Sequence, residues 1–237
     1  MAATRRDALR TIAGIGALGL AGCGDGGYRA AALTQGGTEP ATLMDFDRPF
    51  PLDPLPAGWR HRTFWTRSPM TFGFAEKDGV RALRCATDAS ASMLFRAVDF
   101  DIGVRPVLAW RWYIEQGIAS AADERTHDGD DHPARLFLAF RTGAGEERRM
   151  EIVWGNRIDA PGTIYRIKKF PHFVADGGEA HVHQWRNETV DLATACRRIW
   201  PGDAVTRLTD IAVFCDSDET GGRTVAYFAS IRLRRAT

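Results

Sequence analysis

From about residue 60 to the C-terminus, hydrophobic and polar residues alternate in short runs separated by turn-forming clusters. In SASMLFRAVDF (90–100), Met93, Phe95 and Ala97 alternate with Leu94, Arg96 and Val98. Side chains along a strand point to opposite faces with period two, so this pattern predicts strands. RTFWTR (62–67), TFGFAEKDG (71–79), VRALRCAT (80–87), VLAWRWYIE (107–115), ARLFLAF (134–140) and RRMEIVWGN (148–156) read the same way. Lys77-Asp78-Gly79 is a hairpin turn signal between two of them. DIAVFCDSD (210–218) and TVAYFASIRLRR (224–235) close the chain as strands. Residues 157–183 are polar and irregular, with short strands expected at TIYRI and HFVAD. One stretch has helical spacing. In ETVDLATACRRIW (188–200), Val190, Ala193, Cys196 and Trp200 lie about one turn apart, and Pro201-Gly202 ends the run. Many short strands and one short helix near 188–200 predict an all-β fold, an antiparallel two-sheet β-sandwich.

The first residues break this pattern. Arg5, Arg6 and Arg10 precede TIAGIGALGLA (11–21), an apolar run too short for the roughly 20 residues that span a bilayer. Thr4–Arg10 resembles a twin-arginine export signal, with Ala8 where a bulkier apolar residue is usual. Leu20-Ala21-Gly22-Cys23 resembles the lipobox of bacterial lipoproteins, which implies acylation of Cys23. The division expected is a signal peptide at 1–22, a lipidated tether at 23–41 and a β-sandwich domain at 42–237. The Gly-, Ala- and Thr-rich composition of 24–41 suits a flexible tether. Gly24 in place of Asp after Cys23 favours the outer membrane by the same analogy. The expected address is the cell envelope, facing the periplasm. Met44–Trp59 holds four prolines within a short span, which exclude a helix and a central strand, and Trp59 would anchor that segment to the surface.

Charge narrows the function classes. The 31 basic and 30 acidic residues leave a formal net charge of +1, and no basic run is interleaved with aromatics, so a nucleic-acid surface is not expected. The chain is expected to be a monomer. Cys85, Cys196 and Cys215 remain after Cys23 and show no CxxC spacing, which argues against a structural zinc site. They are expected to pack as small hydrophobes, with one disulfide among them as the alternative that export would permit.

Several motifs occur in the order found in the DUF3047 family, bacterial exported proteins without an established activity. They are Leu108-Ala109-Trp110-Arg111-Trp112, Gly129-Asp130-Asp131, Ala134-Arg135-Leu136, Val153-Trp154-Gly155, Trp185 with Asn187, and Asp216–Gly221. The chain resembles that family over about residues 43–235. The layout is also similar to galactose-binding-like and CIA30-like jelly rolls, which implies a sugar or small polar ligand.

The candidate site residues follow from period and charge. Trp110 and Trp112 share a face with Leu108 and Ile114, a stripe apolar enough to be core. Arg111 and Tyr113 then face outward as ligand candidates. Asp128, Asp130, Asp131 and His132 crowd five positions, and Arg135 follows at a strand start, where it can pair with one of the carboxylates. Asp216, Asp218 and Thr220 stand at the first, third and fifth positions of a run with Gly221 at the sixth, like the opening of a calcium loop. The twelfth position is Tyr227 rather than Glu and the flanks read as strands, so this is no EF-hand. Calcium at Asp216, Asp218 and Thr220 is the candidate cofactor. Trp154 is expected at the same end of the sandwich. His127, His132, His172, His181 and His183 form no HExxH pattern and read as exposed loop residues. These features fit a non-catalytic domain binding a carbohydrate-like or small polar ligand through Arg111, Tyr113, Asp130, Asp131, Arg135, Trp154, Asp216, Asp218 and Thr220. Two alternatives stay open: an envelope polysaccharide hydrolase with paired carboxylates, and a structural or assembly factor holding a protein partner.

Overall fold

The computed structural model describes residues 39–157 and 160–236. The export signal, Cys23 and nearly all of the expected tether lie outside the described residues. In chain order the strands are β1 (Ala41–Met44), β2 (Trp59–Thr63), β3 (Thr71–Lys77), β4 (Val80–Asp88), β5 (Ser92–Asp101), β6 (Val107–Gln116) and β7 (Arg135–Thr142). They continue as β8 (Glu147–Gly155), β9 (Ile164–Ile167), β10 (Phe170–Gly177), β11 (Trp185–Asp191), α1 (Leu192–Ile199), β12 (Val205–Phe214), β13 (Arg223–Phe228) and β14 (Ile231–Arg234). One sheet runs β1-β14-β6-β13-β4-β3, with β11 also paired to β6. The other runs β2-β5-β12-β7-β8-β10-β9. Among the described residues the result is a two-sheet β-sandwich with one α-helix, as expected.

The inner faces follow the period-two pattern. Leu108, Trp110, Trp112 and Ile114 of β6 are all buried, and so are Leu136, Leu138 and Phe140 of β7. Trp112 meets Trp154 of β8 across the two sheets, ring centres 5.8 Å apart, and Trp110 packs edge-on against Trp112 at 5.2 Å. The two tryptophans are therefore core and not a binding platform. Cys85, Cys196 and Cys215 are free and buried. Trp59 packs at a tilt against Phe50 at 4.6 Å and Phe46 at 6.1 Å, which fastens the proline-rich segment to the sandwich.

Some boundaries differ from expectation, each for a physical reason. The helical spacing at 188–200 covers two elements. Residues up to Asp191 belong to β11, because Val190 and Glu188 find partners in Leu108 and Trp110 of β6. The helix starts only at Leu192, where the Asp191 side chain accepts a hydrogen bond from the Thr194 amide (2.7 Å) and caps it. The final run divides into β13 and β14, which pair with successive segments of β6. The expected first strand begins earlier, at Trp59, and the chain leaves β2 after Thr63. One pair, β8 with β10, is parallel.

Candidate functional site

The cross-strand register assembles the site. In β12–β7 the pairing sets Phe214 opposite Arg135, and in β7–β8 it sets Arg135 opposite Val153 and Phe137 opposite Glu151. Arg135 and Glu151 thus share the outward face of the second sheet, while Leu136 and Ile152 point into the core. In β10, His172 pairs with Glu151 and joins the same patch. The chain leaves β12 just beyond Phe214, so Asp216 arrives beside Arg135 although 81 residues separate them.

Arg135 is the centre of this arrangement and is 2% exposed. Its Nε and Nη2 each donate to Asp216 at 2.8 Å. Its Nη1 donates to Asp130 at 2.9 Å and to Glu151 at 2.7 Å. Nη2 also donates to the Asp130 carbonyl. His172 Nε2 lies 3.3 Å from Asp130 and 3.5 Å from Glu151. One buried cation therefore gathers three carboxylates from three different segments. The planar guanidinium fork suits that task in a way a lysine ammonium does not.

A second group of contacts locks the loops together. Asp131, fully buried, accepts from the Thr220 amide and hydroxyl at 2.6 Å each and from the Glu219 amide at 3.3 Å. Asp216 also accepts from the His132 amide at 2.9 Å. Arg67, from the loop after β2, reaches Asp218 at 2.6 Å and Glu219 at 3.5 Å. Gly129 has to be glycine here, since a Cβ would come within 2.4 Å of the Asp123 carbonyl oxygen. His132 is buried against the Trp154 carbonyl (Nδ1, 2.7 Å) and the Tyr165 hydroxyl (Nε2, 3.0 Å).

The charges are strongly perturbed. Burial opposes ionisation of Asp130, but Arg135 and His172 outweigh it and hold the carboxyl below its usual range. Burial pushes Asp216 up, helped by Asp131 and Asp130 and opposed by Arg135. Burial, with Asp131 and Asp218 beside it, pushes Glu219 up to about 8. Burial, with Arg135 and His172 nearby, holds His132 in its neutral form well below the ordinary imidazole value.

Above this network lies an open cleft of about 330 Å³. Carboxylates of Asp130, Glu151, Asp216, Asp218 and Glu219 face it, together with Arg135 and Arg67. Phe64, Met93 and Phe214 supply apolar wall. Carboxylate oxygens of Asp131, Asp216, Asp218 and Glu219 lie within 4.8 Å of one another, an oxygen set chemically suited to a hard cation. In this structure protein donors already engage Asp131, Asp216 and Asp218.

The expected residues separate into four groups. Asp130, Arg135, Asp216 and Asp218 meet at the cleft. Asp131 and Thr220 are paired with each other beneath it, so Thr220 serves as a donor to Asp131, and Asp131 and Glu219 take its place in the acidic cluster. Trp154 is 1% exposed and contributes to a separate cavity of about 340 Å³ with Asn156, Gly178 and Val182. Arg111 and Tyr113 lie on the outer face of the first sheet, away from the cleft. Tyr113 packs against Trp185 at 5.6 Å and Tyr227 at 5.9 Å, and Arg111 lies over Trp185 at 5.0 Å. They complete an aromatic cluster because β11 brings Trp185 directly opposite Tyr113.

Sequence reasoning missed Glu151, His172, Glu219 and Arg67. Glu151 and His172 did carry a signal, as polar residues inside runs that otherwise read as buried strand. His132 and His172 are buried, not exposed loop residues, and His181 pairs with Asp176 at 2.6 Å.

A family model described as "Protein of unknown function (DUF3047)" matches residues 57–232. No curated protein matches the sequence. Among solved structures, the family 30 carbohydrate-binding module of cellulase Cel9D-Cel44B from Clostridium thermocellum aligns over 83% of this chain and 98% of that chain, with 10% identity and a TM-score of 0.46. Endoglucanase 3 from family GH12 of Trichoderma harzianum aligns over 76% and 91%, with 9% identity and a TM-score of 0.40. The mannan-recognising module TmCBM27 aligns over 84% and 98%, with 15% identity and a TM-score of 0.32. Identities this low, with TM-scores below 0.5, say nothing about what this chain binds.

Proposed function

Because the chain belongs to the DUF3047 family of proteins of unknown function, we propose its role from its own geometry: it is a binding domain for a carbohydrate-like, polyhydroxyl ligand, held in the cleft around Asp130, Arg135, Glu151, Asp216 and Asp218. The observation that carries this reading is the buried Arg135 with its three carboxylates at the floor of an open cleft. Carboxylate oxygens are strong acceptors for hydroxyl donors. Here they are fixed on β8 and two braced loops, so little ordering entropy remains to be lost on binding. Phe64 offers an apolar face to ring carbons. Equilibrium titration of the full chain with a panel of oligosaccharides tests it. Saturable binding weakened by Glu151→Gln supports the reading, and binding unaffected by that change refutes it.

A second reading, a polysaccharide hydrolase, is favoured by one specific feature. The same cleft holds an acid pushed up to about 8, Glu219, and a carboxylate held ionised, Asp130. Such divergence is the pattern of an acid and its partner in glycoside hydrolysis. Release of new reducing ends by the wild-type chain and its loss in Glu219→Gln would establish this activity; binding without turnover excludes it.

Export and anchoring form part of the proposal. Arg5-Arg6, the short apolar run and Cys23 support a chain acylated at Cys23 and held in the cell envelope, facing the periplasm. Cell fractionation of Cys23→Ala tests this: the variant is expected in the soluble fraction, and continued membrane association contradicts it.

A further inference from the structure

The loop that follows β2 contains a second feature at the mouth of the cleft. Phe64, Thr66 and Arg67 all line the cavity, yet Trp65, between them, is fully solvent-exposed at 102% relative accessibility. Val104, at 38%, is the other exposed large hydrophobic among the described residues. An exposed tryptophan leaves a large apolar face in water and gains nothing from the fold. It also sits at a defined position. The Arg67 amide donates to the Phe64 carbonyl at 3.2 Å, which closes a turn with Trp65 at its tip. Arg67 then ties that turn to Asp218 and Glu219, and the Ala91 amide holds Ser68 at 2.9 Å. The backbone that carries the tryptophan is therefore held beside the acidic wall. With consecutive Cα atoms about 3.8 Å apart, its ring lies within roughly 10 Å of the lining residues.

We propose that Trp65 is a stacking platform for a ring of a non-acidic saccharide, one that projects from the cleft while a neighbouring unit sits inside it. The proposal rests on the binding reading above and adds the ligand's extent and charge. The extent follows from the position of the ring, outside the cleft wall but beside it. The charge follows from the lining, where the acidic side chains of Asp130, Glu151, Asp216, Asp218 and Glu219 outnumber Arg67, Arg135 and His127, and Asp130 is held ionised. Both guanidiniums are already ion-paired with those carboxylates. A uronate or sulfated ring would meet repulsion there, whereas a neutral hexose or an amino sugar would not. An ammonium group would in addition be attracted by the indole face.

The test uses the full chain in three forms, wild type, Trp65→Ala and Trp65→Phe, titrated with neutral, amino-sugar and uronic-acid oligosaccharides of two to six units. Trp65→Ala is expected to weaken binding about tenfold for oligosaccharides long enough to reach the platform. Trp65→Phe should retain most of the affinity, and neither change should move Tm, because the side chain makes no buried contact. If Trp65→Ala binds as tightly as wild type while Glu151→Gln binds weakly, the platform is refuted and the cleft reading stands. If wild type binds no saccharide, both are refuted. Preference for the uronic-acid ligands refutes the charge assignment. A lowered Tm for Trp65→Ala marks a structural role and overturns the proposal. So does a blue-shifted fluorescence of Trp65 with phosphatidylcholine vesicles but not with saccharide, which would assign the residue to a lipid surface.

Discussion

Replacing Arg135 by methionine is the most severe single change the site can suffer without altering side-chain volume greatly. Arg135 is 2% exposed and pairs at 2.7–2.9 Å with Asp216, Asp130 and Glu151. Removing one partner of a buried ion pair costs about 3–5 kcal/mol, mostly because the remaining charge is left desolvated. Here two of the three carboxylates keep His172 as a close neighbour, 3.3 Å from Asp130 and 3.5 Å from Glu151. For a domain of this size, about 2–4 °C of Tm corresponds to each kcal/mol, so a loss of roughly 10 °C at pH 7 is expected. The pH dependence carries the diagnosis. In the wild type, Asp130 titrates below its ordinary value of 3.8. It therefore contributes stability that is present above 3.8 and lost as pH falls through the lower folded value. Without Arg135 burial dominates at Asp130 and Asp216, whose carboxyls rise, and the folded variant takes up protons that the unfolded chain does not. Its deficit should then shrink as pH falls from 7 to 5. Thermal melts of both proteins across that range measure it. A deficit under about 2 °C at pH 7, or one that does not narrow at pH 5, would refute the reasoning. Arg135→Lys should fall between the two, keeping the charge but losing the fork.

Three further outcomes are expected. Burial, with Asp176 beside it, pushes Glu188 up to about 7, so its ionisation costs stability progressively as pH rises from its ordinary 4.5 through 7. Glu188→Gln should raise Tm by a few degrees at pH 8 and leave it unchanged at pH 5; the opposite order would show that the carboxylate is stabilised as a charge. Burial pushes the Cys196 thiol up to about 12 and, with Cys85 adjacent, holds Cys215 well above the ordinary thiol value. The three domain cysteines should stay unreactive to a thiol reagent until denaturant is added, and rapid labelling of the native chain contradicts the burial shown. Calcium should shift Tm by less than about 2 °C, because Arg67, Arg135 and the Thr220 donors already satisfy the acidic cluster. A larger increase, reversed by chelator, would instead assign a cation site to Asp131, Asp216, Asp218 and Glu219.

The period-two pattern made the sandwich legible in strands such as β6 and β14, where buried positions alternate with more exposed ones, whereas β7 and β10 are covered on both faces. It identified Trp110 and Trp112 as core and Arg135 as the residue that pairs a loop carboxylate. The pattern could not distinguish which outward face would carry the site. Arg111 and Tyr113 alternate outward as clearly as Arg135 does, but they belong to the other sheet, where Trp185 covers them. That choice depends on strand order, a long-range property. The spacing of Val190 and Cys196 misled for a related reason, since pairing of Val190 with Leu108 outweighs local helical periodicity up to Asp191. The convergence of Asp130 with Asp216 was legible as two acidic clusters beside strand ends, but their meeting depends on the register that sets Phe214 opposite Arg135. Glu151 and His172 stood out as polar residues in apolar runs, a signal that charge counting alone passes over.

The claim on which the functional reading depends is that the acidic cleft holds the ligand. A crystal structure of the full chain with a bound neutral or amino-sugar oligosaccharide tests it directly. Hydroxyls within hydrogen-bond distance of Asp130, Glu151 or Asp218, and a ring against Trp65, are the expected result. A saccharide seated on the Arg111–Tyr113 face or in the cavity beside Trp154, with the cleft empty, would contradict it.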